Sequence, residues 1–263
     1  MKNRTVIICL IGVLVLSAAY LGGILPKRIF EVKAATSTPS NFTVAFIGDT
    51  GVDAEFQANL NLIKAEGAQA VVHAGDFSYG GLSPWDTMIN TTLGSNFPYF
   101  GSKGNHDSWT TFWPFLSSHV NVPSVTVLDP GGTSDTDYAV KFGGLTIGIV
   151  GDSGSSAWNG YASFLTSKLG STDSVWKICN WHKNGPKDLG TGRAMTQTGE
   201  KGSEMGAQVY EACRQSGALI IQGHEHSYSR TKTITKFADR PATGPGGMEI
   251  NNAISADTIE LKL

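Results

Sequence analysis

Runs of like charge are missing from this 263-residue sequence, in which 20 Lys plus Arg are interspersed with 22 Asp plus Glu. That near balance excludes an extended basic track for a nucleic-acid scaffold and a polybasic patch for an anionic membrane surface. Cysteine is scarce, with 3 residues. Cys9 falls in an apolar N-terminal run, so Cys179 and Cys213 are the one pair that could bridge. Lying inside an apolar strand and on a helix, they read as buried free thiols. No repeat at a fixed period and no low-complexity tract interrupts the chain. The 32 glycines cluster at strand ends instead, as turns that let backbone approach a ligand closely. Histidine is also rare, at 6 residues, so its placement carries information.

The N-terminal segment differs in kind from the rest. After Lys2 and Arg4 comes an uncharged stretch from Val6 to Leu25, long enough at about 1.5 Å per residue to cross a roughly 30 Å hydrocarbon layer. A cleaved signal has a shorter apolar region and a small-residue cleavage site, for which Val32-Lys33-Ala34 is a weak candidate. Spanning length therefore favours an uncleaved anchor over a secretion signal, and either places the remainder outside the cytoplasm. Residues 1–40 are this segment plus a Thr, Ser and Pro linker. Residues 41–263 form one domain, long enough to bury a full core.

Along that domain, Phe42 to Ile47 reads as a buried strand closed by Gly48-Asp49. A helical spacing of Phe56, Leu60 and Ile63 follows. "AQAVVHAGD" is a second strand, a loop or helix holds Trp85 and Met88, and "PYFGSKGNHD" brings a third strand. "YAVKFGGLTIGIV" is a hairpin turning at Gly143-Gly144. A helix over Tyr161 to Leu169 precedes the strand Val175 to Trp181, and a helix over Met205 to Gln215 precedes the strand at Ala218 to Ile221. "MEINNAI" and "DTIELKL" are expected to supply closing strands at the end of the chain. The series predicts an α/β fold with two sheets flanked by helices.

Asp49, Asp76, Asn105, His182 and His224 each fall just past the C-terminal end of a predicted strand, where binding crevices form in open α/β sheets. Alone, each Asp is as well explained as a helix cap, and "GNHD" as a turn. His224 and His226 are stronger, because alternate residues of an extended segment face one locus. His106 joins them, whereas His73 reads as a core histidine and His119 as an exposed one in a loop. Two carboxylates and three imidazoles crowded into one crevice call for cations, and two ions clamped by a shared carboxylate suit hydrolysis at phosphorus.

The ordered set "GDTG", "GDFSY", "GNHD", "NWH" and "GHEH" resembles the calcineurin-like metallophosphoesterase superfamily and, within it, the purple acid phosphatase branch. Gly51 stands where most of the superfamily has a histidine, and Tyr79 stands where the purple branch supplies a tyrosinate. The resemblance implies a four-layer αββα fold. It implies a first metal held by Asp49, Asp76, Tyr79 and His226, and a second held by Asp76, Asn105, His182 and His224. A phenolate beside two carboxylates suits Fe(III), and the second set suits Fe(II), Zn(II) or Mn(II). Hydrolysis of a phosphate monoester by hydroxide bound to the ions is expected, with His106 as the acid and Asp107 orienting it or keeping it protonated.

The plant-type substrate histidines after the fourth motif are absent. Lys183 or Arg193 stands as a substitute cation or as a solvated surface residue, and Asp152 as a turn residue or a support for the site. The expected partner is a phosphorylated small molecule or ester, with the membrane engaged through the N-terminal segment. Two other readings stand: a surface phosphodiesterase or nucleotide hydrolase using Zn or Mn, and a tethered metal-binding module without turnover. The intact His106 speaks against the last.

Overall fold

The computed structural model describes residues 42–185, 204–228, 234–237, 248–250 and 261–262. The expected anchor and linker at residues 1–40, and Arg193, lie outside them. Among the described residues no helix is long and apolar enough to cross a membrane.

Two sheets carry the domain. In the first, β1 (Val44–Ile47), β2 (Ala70–His73) and β3 (Tyr99–Gly101) lie parallel in chain order. In the second, the order is β4 (Thr126–Asp129), β5 (Tyr138–Phe142), β6 (Leu145–Ile149), β7 (Trp176–Asn180) and β8 (Leu219–Ile221). Strands β4 to β6 meander antiparallel, and β6 to β8 run parallel. The β5–β6 hairpin turns at Gly143 and Gly144, both at positive φ, as a two-residue turn requires. Near the C-terminus, β9 (Ser227–Tyr228) pairs with β12 (Leu261–Lys262), and β10 (Ile234–Phe237) with β11 (Met248–Ile250). The two C-terminal segments expected to close the fold thus each contribute a short strand.

Helices α1 (Ala54–Ala65), α2 (Leu82–Thr92) and α3 (Trp109–Val120) accompany the first sheet. Phe56, Leu60 and Ile63 are the buried stripe of α1, and Asp53 caps its start by accepting a hydrogen bond from Phe56 N at 2.9 Å. They pack with Trp85, Ile89, Phe112 and Leu116 against Val71, Val72 and Phe100, and this core continues to Val140 and Ile147 of the second sheet. Helices α4 (Trp158–Gly170) and α5 (Ala207–Gln215) pack on each other beside the second sheet, burying Tyr161, Leu165, Val209 and Tyr210 with Cys179 and Trp181. This is an α/β fold of two sheets flanked by helices.

The segment holding Trp85 and Met88, open between loop and helix, is helical throughout. Three sequence expectations are corrected. Helix α3 went unread, because Pro114 sits inside it and removes one ladder donor. Its apolar spacing of Trp109, Phe112, Trp113, Leu116 and Val120 offsets that loss by burial. His119 is consequently not exposed. It is fully buried on α3, where its Nδ1 lies 2.9 Å from Phe97 O.

The third correction concerns the thiols: Cys179 of β7 and Cys213 of α5 form a disulfide. Helix α5 packs across β7, which brings two Cα atoms 34 residues apart in sequence to 6.3 Å. Closing a loop of that length restricts the unfolded chain by about 4 kcal/mol. Replacing both residues by alanine is expected to lower unfolding free energy by about 2–4 kcal/mol. Denaturant unfolding of the full chain measures it, and reduction of the wild type should reproduce most of the loss.

Candidate metal centre

The C-terminal ends of β1, β2 and β3 face those of β7 and β8, because polar links set the register between the sheets. Asn180 Nδ2 donates to His73 O at 2.8 Å, and Tyr138 Oη donates to Gly101 O at 2.9 Å. The side chains just past these ends then meet. Asp49, Asp76, Tyr79, Asn105, His182, His224 and His226 come together there.

Around Tyr79 Oη lie His226 Nε2 at 3.0 Å, Asp76 Oδ2 at 3.1 Å and Asp49 Oδ1 at 3.5 Å. His226 Nε2 is itself 3.5 Å from Asp49 Oδ1. Around His182 Nε2 lie Asn105 Oδ1 at 3.1 Å, His224 Nδ1 at 3.1 Å and Asp76 Oδ2 at 3.3 Å. Donors about 2.1 Å from one ion stand roughly 3.0–3.4 Å from each other. The distances in both groups, 3.0–3.5 Å, lie close to that spacing. They share one atom, Asp76 Oδ2. Asp76, His182 and His224 form a buried floor, while Tyr79, Asn105, His106 and His226 form an exposed rim.

The neighbours of His182 fix where its hydrogen sits. Ala74 O, a pure acceptor, lies 2.7 Å from His182 Nδ1, so that nitrogen carries hydrogen and Nε2 presents a lone pair in the neutral ring. The lone pair points at two oxygens and a second imidazole nitrogen. Either a proton or a metal ion must stand among them. Burial pushes the His182 pKa down, but Asp76, Asp49 and the Ala74 carbonyl outweigh it and raise the value. Burial likewise raises the Asp76 carboxyl, and it is held well below its usual range by the hydrogen bonds of His182, His106 N and Tyr79. The Tyr79 phenol is driven up by burial and by the charges of Asp49 and Asp76, so it ionises only against a strong cation.

The backbone is bent to build this arrangement. Among the described residues, the non-glycine positions with positive φ are Asp49 at 53°, Asp76 at 53°, His224 at 80° and His226 at 48°. Each costs on the order of 1–3 kcal/mol. All four belong to the cluster, and their strain turns successive side chains inward. Asp49 is steadied by accepting from His224 N at 2.7 Å, which joins the β1 end to the β8 end.

Asp107 plays a different part from the one expected. Its carboxylate accepts from Gly104 N at 2.7 Å and from Asp76 N and Phe77 N at 2.9 Å each. Those three donors consume both oxygens, so Asp107 ties the loop after β3 to the loop after β2 rather than orienting His106. Position alone could not show this, since an Asp beside a His invites pairing. His106 donates from its backbone N to Asp76 Oδ1 at 2.9 Å, and its ring stands edge-on to Tyr79 at 5.1 Å between centroids. His73 is in the core as expected. Its Nε2 lies 3.0 Å from Thr50 Oγ1, and burial, with help from nearby His182, pushes its pKa down to about 3.

Lys183 is neither a free phosphate cation nor a merely solvated residue. Its Nζ lies 3.3 Å from Asp152 Oδ2 and 3.7 Å from Glu204 Oε1, so Asp152 supports the loop that follows His182. Glu204 was not singled out in the sequence. It lies far from every motif, and no local signal marks it.

A crevice at parallel strand ends, lined by two donor groups that share a carboxylate oxygen, is the arrangement of a hydrolase that works with metal ions. The family model for calcineurin-like phosphoesterases matches residues 42–228, and the chain belongs to that family. No match is found among curated proteins. Membership makes it a metal-dependent phosphoesterase acting on a phosphorylated substrate, in a family that binds two metal ions.

Close approach to the shared carboxylate explains one glycine in the third motif. A Cβ on Gly104 would fall 2.0 Å from Asp76 Oδ1 and 2.3 Å from Asp76 N. Gly104→Ala must therefore displace Asp76. We expect it to lose bound metal and most activity, whereas Gly132→Ala, with nothing within 4 Å, should retain both. Elemental analysis of the two purified variants checks this.

Proposed function

We propose that this protein is a dinuclear metal phosphatase of the purple acid phosphatase kind, hydrolysing phosphate monoesters. The observation that carries the reading is Asp76 Oδ2, which stands 3.1 Å from Tyr79 Oη and 3.3 Å from His182 Nε2 and so belongs to both donor groups. Asp49, Asp76, Tyr79 and His226 would hold Fe(III), for which hard oxygen donors are suited. Asp76, Asn105, His182 and His224 would hold Fe(II), Zn(II) or Mn(II). When bound, the two ions supply an activated water and neutralise charge on the phosphoryl oxygens.

The chain's own residues do the rest. Asp76 holds the two sites in register and, through its other oxygen, fixes the His106 backbone at the rim. From that exposed position the His106 imidazole gives a proton to the leaving alkoxide. Its ring packs edge-on to Tyr79, which places the proton donor beside the phenol. The Tyr79 side also favours the purple branch over the zinc or manganese phosphodiesterase, because Gly51 offers no donor in place of the phenol. An extracytoplasmic location, anchored or secreted, is supported by the apolar run Val6 to Leu25 and by the Cys179–Cys213 disulfide, since such bridges persist in oxidising compartments.

Metal analysis with a visible spectrum tests the assignment. The iron-loaded protein should show a tyrosinate-to-Fe(III) absorption that disappears in Tyr79→Phe; a colourless zinc or manganese enzyme of full activity sinks the purple reading. For the acid, His106→Ala is expected to lower kcat on alkyl phosphates by about 10²–10⁴-fold, with metal content unchanged. Parallel loss of metal and activity would refute that role. An aryl phosphate should be turned over faster than a bis-aryl phosphate, and the reverse order would favour a phosphodiesterase.

A further inference from the structure

Both imidazoles that meet on the floor of the site have a second ring nitrogen turned outward, and each lies beside an oxygen. For His182 it is the Ala74 carbonyl, 2.7 Å from Nδ1. For His224, whose Nδ1 faces His182, the outward atom is Nε2, and Glu204 Oε2 lies 3.0 Å from it. The contact is close but not in line for a hydrogen bond, and among the described residues Oε2 is buried with no hydrogen-bond partner. The glutamate is placed from both sides. Its backbone N donates to Asn184 O at 2.9 Å, and its other carboxylate oxygen is 3.7 Å from Lys183 Nζ, which Asp152 holds at 3.3 Å. A chain of charge therefore runs Asp152, Lys183, Glu204, His224.

We infer that Glu204 is a positioning residue for the metal site, holding His224 in the tautomer whose Nδ1 lone pair faces the ion. The inference rests on the reading of His224 as a metal ligand. A carboxylate beside one imidazole nitrogen keeps hydrogen there, leaves the opposite nitrogen free to bind, and makes it a better donor. Lys183 limits the excess charge, so the pair Glu204 and Lys183 adds little net charge to the crevice. The two neighbours of the floor thus differ in strength: a neutral carbonyl orients His182, and an anion orients His224. Because Lys183 directly follows His182, the same chain couples the β7 end to the residue that supports the β8 end.

The test is metal titration of the metal-free full-length protein, read by calorimetry, for the wild type, Glu204→Gln and Glu204→Ala. Loss of such an outer carboxylate typically weakens binding by about 10–100-fold. We expect that loss for one ion of the pair, with the other ion bound as in wild type and the melting temperature of the metal-free protein unchanged. Long-range ¹⁵N–¹H spectra of the His224 ring provide a readout that simple loss of packing does not move: Nε2–H in wild type, mixed tautomers in Glu204→Ala. Wild-type affinities for both ions in both variants, or an unchanged His224 tautomer, overturn the inference. A wild type that binds no pair of ions would instead overturn the dinuclear reading on which it rests.

Discussion

Repulsion among electron pairs is the constraint around which this molecule is organised. Five strand ends deliver carboxylate, amide and imidazole donors to one small volume, and the Tyr79 phenol adds another. In the neutral His182 ring the hydrogen on Nδ1 faces Ala74 O, so the crowding at Nε2 is relieved by an added proton or by a cation. The cluster is stable with positive charge at its centre and costly without it. An Asp76 carboxyl held ionised by the hydrogen bonds around it, an Asp49 carboxyl pushed up by burial and a Tyr79 phenol held protonated all belong to that arrangement.

The scaffold meets the cost in ways that are visible at named positions. Positive φ at Asp49, Asp76, His224 and His226 is tolerated because flanking parallel strands fix the chain on the inner side of each turn. Asp107 clamps two of the loops through three backbone donors, and Asp49 clamps a third through His224 N. On the other side, the disulfide joins β7, which delivers His182, to α5, which follows Glu204. Strain is concentrated at the site, and covalent and hydrophobic restraint surround it.

Much of the fold was legible because its signals are local. Apolar runs ending in Gly-Asp mark parallel strands, and the spacing of Phe56, Leu60 and Ile63 marks a helix whose buried face the structure reproduces. Helix α3 was not legible, since Pro114 contradicts the helical pattern and only burial of Trp109, Phe112 and Leu116 overrides it. His119 was misplaced for the same reason. The thiol pairing failed because it depends on how α5 crosses β7, which is a tertiary fact.

For the site, the sequence by itself determined which polar residue types stand at successive strand ends, with Gly51 in the first motif and Tyr79 in the second. Those are properties of position along a chain whose strand ends must converge. Tertiary structure alone decided how the donors divide into two groups around Asp76 Oδ2, that Asp107 serves the backbone and not His106, and that Glu204 reaches His224 while Lys183 is held between two carboxylates. Each of these depends on which atom of a side chain faces which neighbour, and residues distant in sequence are brought within about 3 Å, the reach of a polar contact, only by the packing of one sheet on the other.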